Sequence, residues 1–216
     1  MAMQTILHPE TRPIGLNSTL GLAAMWFVAS LVAVIAGVFD PGVGALPLPT
    51  MVAVALPVTL FLVGYASSAR LRAAVLGWDP RLLVAAQAWR VLGLMFVGLY
   101  AYDALPALFA FPAGLGDAAV GLTAPLVLVM LLRRPESRRE GWFVAWNWLG
   151  ILDFAGALGT GILASGALPA LVGAGPTSAP MGVWPLALIP AFWVPVFIIL
   201  HLAALLQAHA ARKAVA

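Results

Sequence analysis

Six stretches of this chain stay apolar for longer than a water-soluble helix usually does, and short connectors rich in charge, glycine or proline separate them. They cover residues 18–39, 50–68, 82–101, 117–132, 141–161 and 183–207. A helix rises about 1.5 Å per residue, so ~20 residues cross a hydrocarbon core about 30 Å thick. Lipid offers backbone N–H and C=O groups no partners, so only helices or closed barrels can span it. Hydrophobic residues make up 63% of the sequence and charged residues 9%, whereas an ordinary soluble domain carries about 25% charge. The expected fold is therefore an all-α membrane protein with six transmembrane helices in one domain, residues 18–208. A polar tail (1–17) precedes it and a short basic tail (209–216) follows. Between the third and fourth spans, Asp103–Gly116 is apolar but broken by two prolines and two glycines. It is expected to form a short re-entrant or interfacial segment, with the fourth span starting between Ala113 and Asp117.

The formal net charge of +3 would ordinarily point to nucleic acid or acidic partners. Here the cations lie in connectors, where they set topology instead, and no nucleic-acid partner is expected. Under six spans Arg12, Arg70, Arg72, Arg81, Arg133, Arg134, Arg138, Arg139, Arg212 and Lys213 all fall on one side, and only Arg90 lies inside a span. Positive-inside then places both termini in the cytoplasm.

Two ionisable groups stand out at depth. Gly141–Gly161 carries Asn147 and Asp153 inside an otherwise apolar run. Counting helically from Asp153 gives a stripe of Trp146, Gly150, Gly156, Ala157, Thr160 and Gly161, on which small residues permit close helix approach. An acid facing lipid is costly, so this stripe is expected to face protein or water. Arg90 follows Arg81 by nine residues and Asp153 follows Gly141 by twelve, which puts them roughly 13 and 18 Å in from the same side. The depths differ by less than the reach of an arginine, so the two are expected to pair and to make spans three and five neighbours. An unpaired arginine at the bilayer centre costs ~2.5–3.5 kcal/mol on insertion scales. The pair is either a structural clasp or a functional site.

Other polar groups cluster around it. Asp117 is expected near the outer boundary, either capping a helix N-terminus or lining a vestibule with Tyr100, Tyr102 and Asp103. His201 is expected to hydrogen-bond Asn147 or Gln87 at similar depth, with a proton relay as the alternative. Haem ligation by His201 is the weakest option, because His8 and His209 lie in the tails. Pro190 and Pro195 each free the carbonyl four residues upstream, at Leu186 and Ala191. That makes the last span a candidate wall of any site, or simply a bend.

Much chemistry is excluded. The absence of cysteine removes disulfides, thiolate zinc sites, iron–sulfur clusters and covalent haem attachment. The single lysine, Lys213, lies in the tail and rules out an intramembrane imine. No motif assigns catalytic residues or metal ligands, and no cofactor is expected.

The segments QAWRVLGLMFVGLY, LPALFAFPAGLGDAAVGLTAPLV, WNWLGILDFAGALGTG and PLALIPAFWVPVFIILHLA fall in the last 130 or so residues. Together they resemble an uncharacterised family of small bacterial polytopic integral membrane proteins. The resemblance implies a place in the bacterial cytoplasmic (inner) membrane and one constellation of Gln87, Arg90, Asp117, Asn147, Asp153 and His201, but no activity. The leading expectation is an intramembrane polar site in spans three to six that binds or translocates a small molecule, ion or lipid-like ligand, of hydrophobic or anionic character. The competing expectations are an accessory subunit of a larger membrane complex or homo-oligomer, and a membrane-embedded enzyme acting on a lipid or isoprenoid with Asp117 or Asp153 as general acid.

Overall fold

A computed structural model describes residues 16–42, 44–167 and 175–215. The expected N-terminal tail up to residue 15, and residues 168–174 of the connector before the last span, lie outside the described residues. The described chain is helical throughout: α1 (Leu16–Ile35), α2 (Leu48–Ser67), α3 (Ala69–Gly77), α4 (Pro80–Ala101), α5 (Ala107–Arg133), α6 (Gly141–Leu163) and α7 (Ile189–Lys213). Five of these, α1, α2, α4, α5 and α7, are long and apolar enough to cross a membrane. The 23 residues of α6 match them in length, but Asn147 and Asp153 dilute its hydropathy.

Two connectors are more ordered than their composition suggests. Arg70–Arg81 was expected as a loop, yet Ser68 accepts a hydrogen bond from Leu71 N and starts α3, while Asp79 accepts one from Arg81 N and starts α4. Both are N-caps that satisfy orphan donors at a helix start. Downstream, residues 209–213 of the basic tail continue the helix of α7.

The largest correction concerns Asp103–Gly116. It does not form a segment separate from the fourth span: after a turn at Asp103 (φ 54°), α5 begins at Ala107 and runs without interruption past Pro112. Pro106 caps the start, and its carbonyl accepts from Phe109 N and Ala110 N. Pro112 removes one bond in the second turn, a modest loss where continuing the helix satisfies most of the following backbone groups. The two glycines that read as breaks are contact points. A Cβ on Gly114 would meet Val97 Cγ2 at 2.8 Å, and one on Gly116 would collide with Asp153.

The interior mixes apolar clusters with polar side chains, and the surface is strongly apolar. Gln87, Arg90, Asn147 and His201 are buried, each at 2% exposure or less, while Leu122, Leu126, Leu149 and Leu152 are each more than 60% exposed. Such a distribution is unfavourable in water and suits lipid. One apolar cluster (Val84, Leu131, Phe143, Ala204 and neighbours) packs towards the cationic connectors. Another (Phe96, Leu105, Phe109, Ala113, Ala164) packs towards the opposite end. The buried polar residues lie between the two along the sequence of each helix. Hydrogen bonds tie the cationic end together: Gln207 Nε2 donates to Val75 O and Trp78 O, and Arg212 Nε to Arg139 O.

The tightest packing joins α5 to the middle of α4, with Gly121 at the crossing. A Cβ there would meet Val91 Cα at 2.9 Å and Arg90 C at 3.0 Å, both rigid backbone. We expect Gly121→Ala to destabilise the protein by about 1–3 kcal/mol through overpacking, despite the ~1 kcal/mol that alanine returns in helix propensity. Gly98→Ala, with nothing within 4 Å, should be neutral or slightly stabilising. Thermal unfolding in detergent compares the two, and equal midpoints would show that the crossing is not tight.

Candidate functional site

The centre of α4 is not α-helical. Gln87–Gly93 forms a 3₁₀ segment, in which side chains three apart eclipse one another. That places Gln87, Arg90 and Gly93 in one line, and all three are buried. An α-helical stripe through Arg90 would have rotated them apart. Gly93 sits against Asp117, where a Cβ would lie 2.7 Å from Oδ2, so the missing side chain makes room for the acid.

Arg90 is the hub. Its Nε donates to Asp117 Oδ1 at 2.7 Å, its Nη2 donates to Asp153 Oδ2, and its Nη1 donates to Gly150 O at 3.3 Å. Nη1 also lies 3.0 Å from His201 Nε2, and the guanidinium carbon sits 3.9 Å over the Phe154 ring. Guanidinium only donates, so His201 Nε2 must accept; the ring hydrogen is then on Nδ1, which donates to Asn147 Oδ1 at 2.9 Å. Asn147 Nδ2 in turn donates to Phe143 O at 2.9 Å. The chain Asp117–Arg90–His201–Asn147 thus fixes one tautomer and crosses α5, α4, α7 and α6 in that order. Trp146 packs edge-on against His201 at 5.4 Å and donates through Nε1 to Thr123 Oγ1 at 3.0 Å.

The expected Arg90–Asp153 ion pair forms, and α4 and α6 are held together through it. Asp117 was misplaced by the sequence reading. It lies ten residues into α5, about 15 Å from the start of that helix, so it neither caps the helix nor lines a vestibule with Tyr100, Tyr102 and Asp103. Tyr102 is 85% exposed, and Tyr100 packs on Phe111 at 5.0 Å. Of the two hydrogen bonds open to His201, the one to Asn147 forms. Gln87 instead donates to Phe197 O at 3.3 Å, and its Oε1 has no partner among the described residues. Both ring nitrogens of His201 are engaged by protein groups.

The proline-freed carbonyls do not converge on the cluster. Ala191 O accepts from Ser30 Oγ at 3.4 Å, and Leu186 O accepts from Ile189 N at 3.0 Å in a turn that precedes the helix. The wall that α7 presents is a π-helical turn, Ile189–Trp193, followed by α-helix from Val194. The sequence reading also missed Phe154. The buried face of α6 is Phe143, Asn147, Gly150 and Phe154, at helical spacing from Asn147 rather than from Asp153. The signal was present: two phenylalanines flank an amide at i−4 and i+7.

Two cavities meet the cluster. One, of about 380 Å³, is lined by Arg90, Asp117 and otherwise apolar residues including Phe96, Phe154 and Phe197, with Trp89 and Trp193 at its edge. The other is narrow, about 80 Å³, and reaches from Pro41, Pro47 and Gly182 to Asp117 and Phe154. Among the described residues no group of three or more His, Asp or Glu could hold a metal ion.

The chain belongs to the family DUF8737, a domain of unknown function, which matches residues 47–208. That span holds all six residues of the predicted constellation. Comparison with curated proteins and with solved structures finds no match.

Two carboxyls share one guanidinium, so the three groups are not energetically equivalent. We expect Arg90→Met to cost about 3–5 kcal/mol, because it leaves two buried acids without a cation. Asp153→Asn should cost much less, on the order of 1 kcal/mol, because Asp117 still answers Arg90. The triple change to Met, Leu and Leu should recover most of the loss. Thermal unfolding in detergent gives the ranking; a larger loss for Asp153→Asn than for Arg90→Met would refute it.

Proposed function

We propose that this DUF8737 member is a six-helix protein of the bacterial cytoplasmic membrane that binds or translocates a small apolar or amphipathic ligand at the Arg90–Asp117–Asp153 site. The observation that carries this reading is the larger cavity. Its volume of about 380 Å³ lies within the ~300–1,000 Å³ typical of small-molecule sites. Its walls are apolar, and Arg90 and Asp117 are the charged residues lining it. Trp89 and Trp193 at the edge are 69% and 42% exposed, on surfaces that a bilayer would cover, so the ligand enters sideways from lipid between α4 and α7. A purely structural clasp does not need a ligand-sized space beside it.

The charge balance narrows the ligand. Asp117 and Asp153 together outweigh Arg90, leaving no positive charge to offer an anion. The head that binds is therefore neutral or cationic, rather than the anionic class left open by the sequence.

The six-span topology rests on α6 joining the five more apolar helices, with its acid turned inward onto Arg90. Its 23 residues rise about 34 Å, enough to cross the hydrocarbon core. Reporter fusions test the orientation: a fusion at Leu46 should report the external side and one after Glu136 the cytoplasm. A fusion at Gly173, outside the described residues, should report the external side; a cytoplasmic signal there would remove the six-span arrangement.

The ligand reading is tested by native mass spectrometry of protein extracted in mild detergent. Wild type should carry a bound small molecule. Met95→Trp, which crowds the larger cavity and leaves every charged residue in place, should lose it without a fall in thermal stability. Retention at wild-type occupancy by Met95→Trp would place the ligand elsewhere.

A further inference from the structure

We infer that the narrow cavity is a hydrated branch that carries protons between Asp117 and the end of the bundle opposite the cationic connectors, so that binding of a cationic head displaces a proton towards that side. This deepens the ligand reading above and rests on it. The two cavities differ in size. About 80 Å³ is below the range of a small-molecule site, yet a water needs only ~10–15 Å³ of such space, so there is volume for several. Three hydroxyls line it: Thr50, Ser165 and Ser178. Ser178 Oγ donates to Gly161 O at 2.6 Å and Ser165 Oγ accepts from Ala167 N at 3.3 Å. Thr50 Oγ1 is buried without a partner among the described residues. Leaving a buried hydroxyl unpaired is costly, and this one belongs to a residue of the cavity wall.

Asp117 is the charged residue lining both cavities, while Arg90 lines only the larger one. Phe96, Phe154, Ile189 and Val194 complete the shared wall. A proton arriving through the narrow branch therefore meets Asp117 before Arg90, and the guanidinium's fixed charge stands against its further passage as a free ion. The groups facing Asp117 set the exchange. Arg90 reaches it from α4. Asp153 from α6 shares the same guanidinium, and His201 from α7 touches that guanidinium through Nε2. The step is simple: hydronium gives its proton to the Asp117 carboxylate, water is left in the branch, and Arg90 remains neutralised by Asp153. Release of the proton restores the excess negative charge that favours a cationic or hydrogen-bond-donating head.

The chain contains no cysteine, which makes the branch directly measurable. Single cysteines are placed at Ala113 and Ala157, both lining the narrow cavity. Ala124, fully buried at 0% exposure on the same helix as Ala113, serves as the dry control. Silver nitrate, whose cation is small enough to follow water, is added to the outside of right-side-out vesicles in chloride-free buffer. Thiols that escape are then counted with a maleimide dye after denaturation. Ala113→Cys and Ala157→Cys should react more than about tenfold faster than Ala124→Cys, because a thiol forms its reactive thiolate in water and not in apolar surroundings. If both react as slowly as the control, the hydrated branch does not exist; two positions on separate helices guard against one variant misfolding. The ligand reading is read independently by the Met95→Trp mass measurement. Slow silver access with a ligand still bound overturns the branch alone, and fast access with no ligand overturns the coupling to ligand while leaving the water path in place.

Discussion

A guanidinium buried to 2% exposure sets the terms for the rest of the molecule. In lipid Arg90 cannot keep its hydration, so every partner must come from protein, and they come from three other helices: Asp117 from α5, Gly150 O and Asp153 from α6, and His201 from α7. Four of its five N–H groups are accounted for in this way, and Phe154 covers its face. Neutral polar contacts between membrane helices average only about 0.6 kcal/mol. A charged hub with two acids is the stronger organiser, and it fixes which helices neighbour which.

Local backbone geometry follows from that demand. Within α4 the 3₁₀ segment lines up Gln87, Arg90 and Gly93, and Gly93 gives Asp117 the space to approach. Gly116 on α5 gives Asp153 the same space, and Gly150 on α6 admits the His201 ring. Asp117, Asp153 and His201 are thus each matched by a glycine on the facing helix. Small residues in membrane helices usually serve close backbone approach; here they also accommodate side chains that lipid will not hold. In α7 the π-helical turn at Ile189–Trp193 provides a second irregular stretch beside the same cavity. Irregular backbone at membrane depth is tolerated where it borders protein or an internal space.

The proposed ligand and proton readings draw on the charge count of the cluster. A matched pair would satisfy Arg90 with one acid. The second acid leaves the centre one negative charge in excess, which either a proton or a cationic head can balance. Asp117 stands at the wall between a ligand-sized and a water-sized space, the position from which such a charge could be exchanged.

The sequence alone determined the membrane class, because 63% hydrophobic residues in runs of about 20 leave the backbone few other solutions. It also determined that Arg90 and Asp153 must meet, since depth along a helix is simple arithmetic and unpaired charge is expensive. That His201 would meet Asn147 or Gln87 was legible for the same reason, and the structure chose Asn147. What the sequence could not fix was rotation about each helix axis. Asp117 was read as a boundary residue because Pro112, Gly114 and Gly116 resemble a break in isolation. Only packing against Val97 and Asp153 turns those glycines into contacts and lets α5 begin at Ala107. The buried face of α6 was likewise displaced from Asp153 to Asn147 and Phe154, and the carbonyls freed by Pro190 and Pro195 found partners elsewhere. Periodicity says which residues share a face; which face is turned inward is decided by the neighbouring helices, and that information exists only in the assembled bundle.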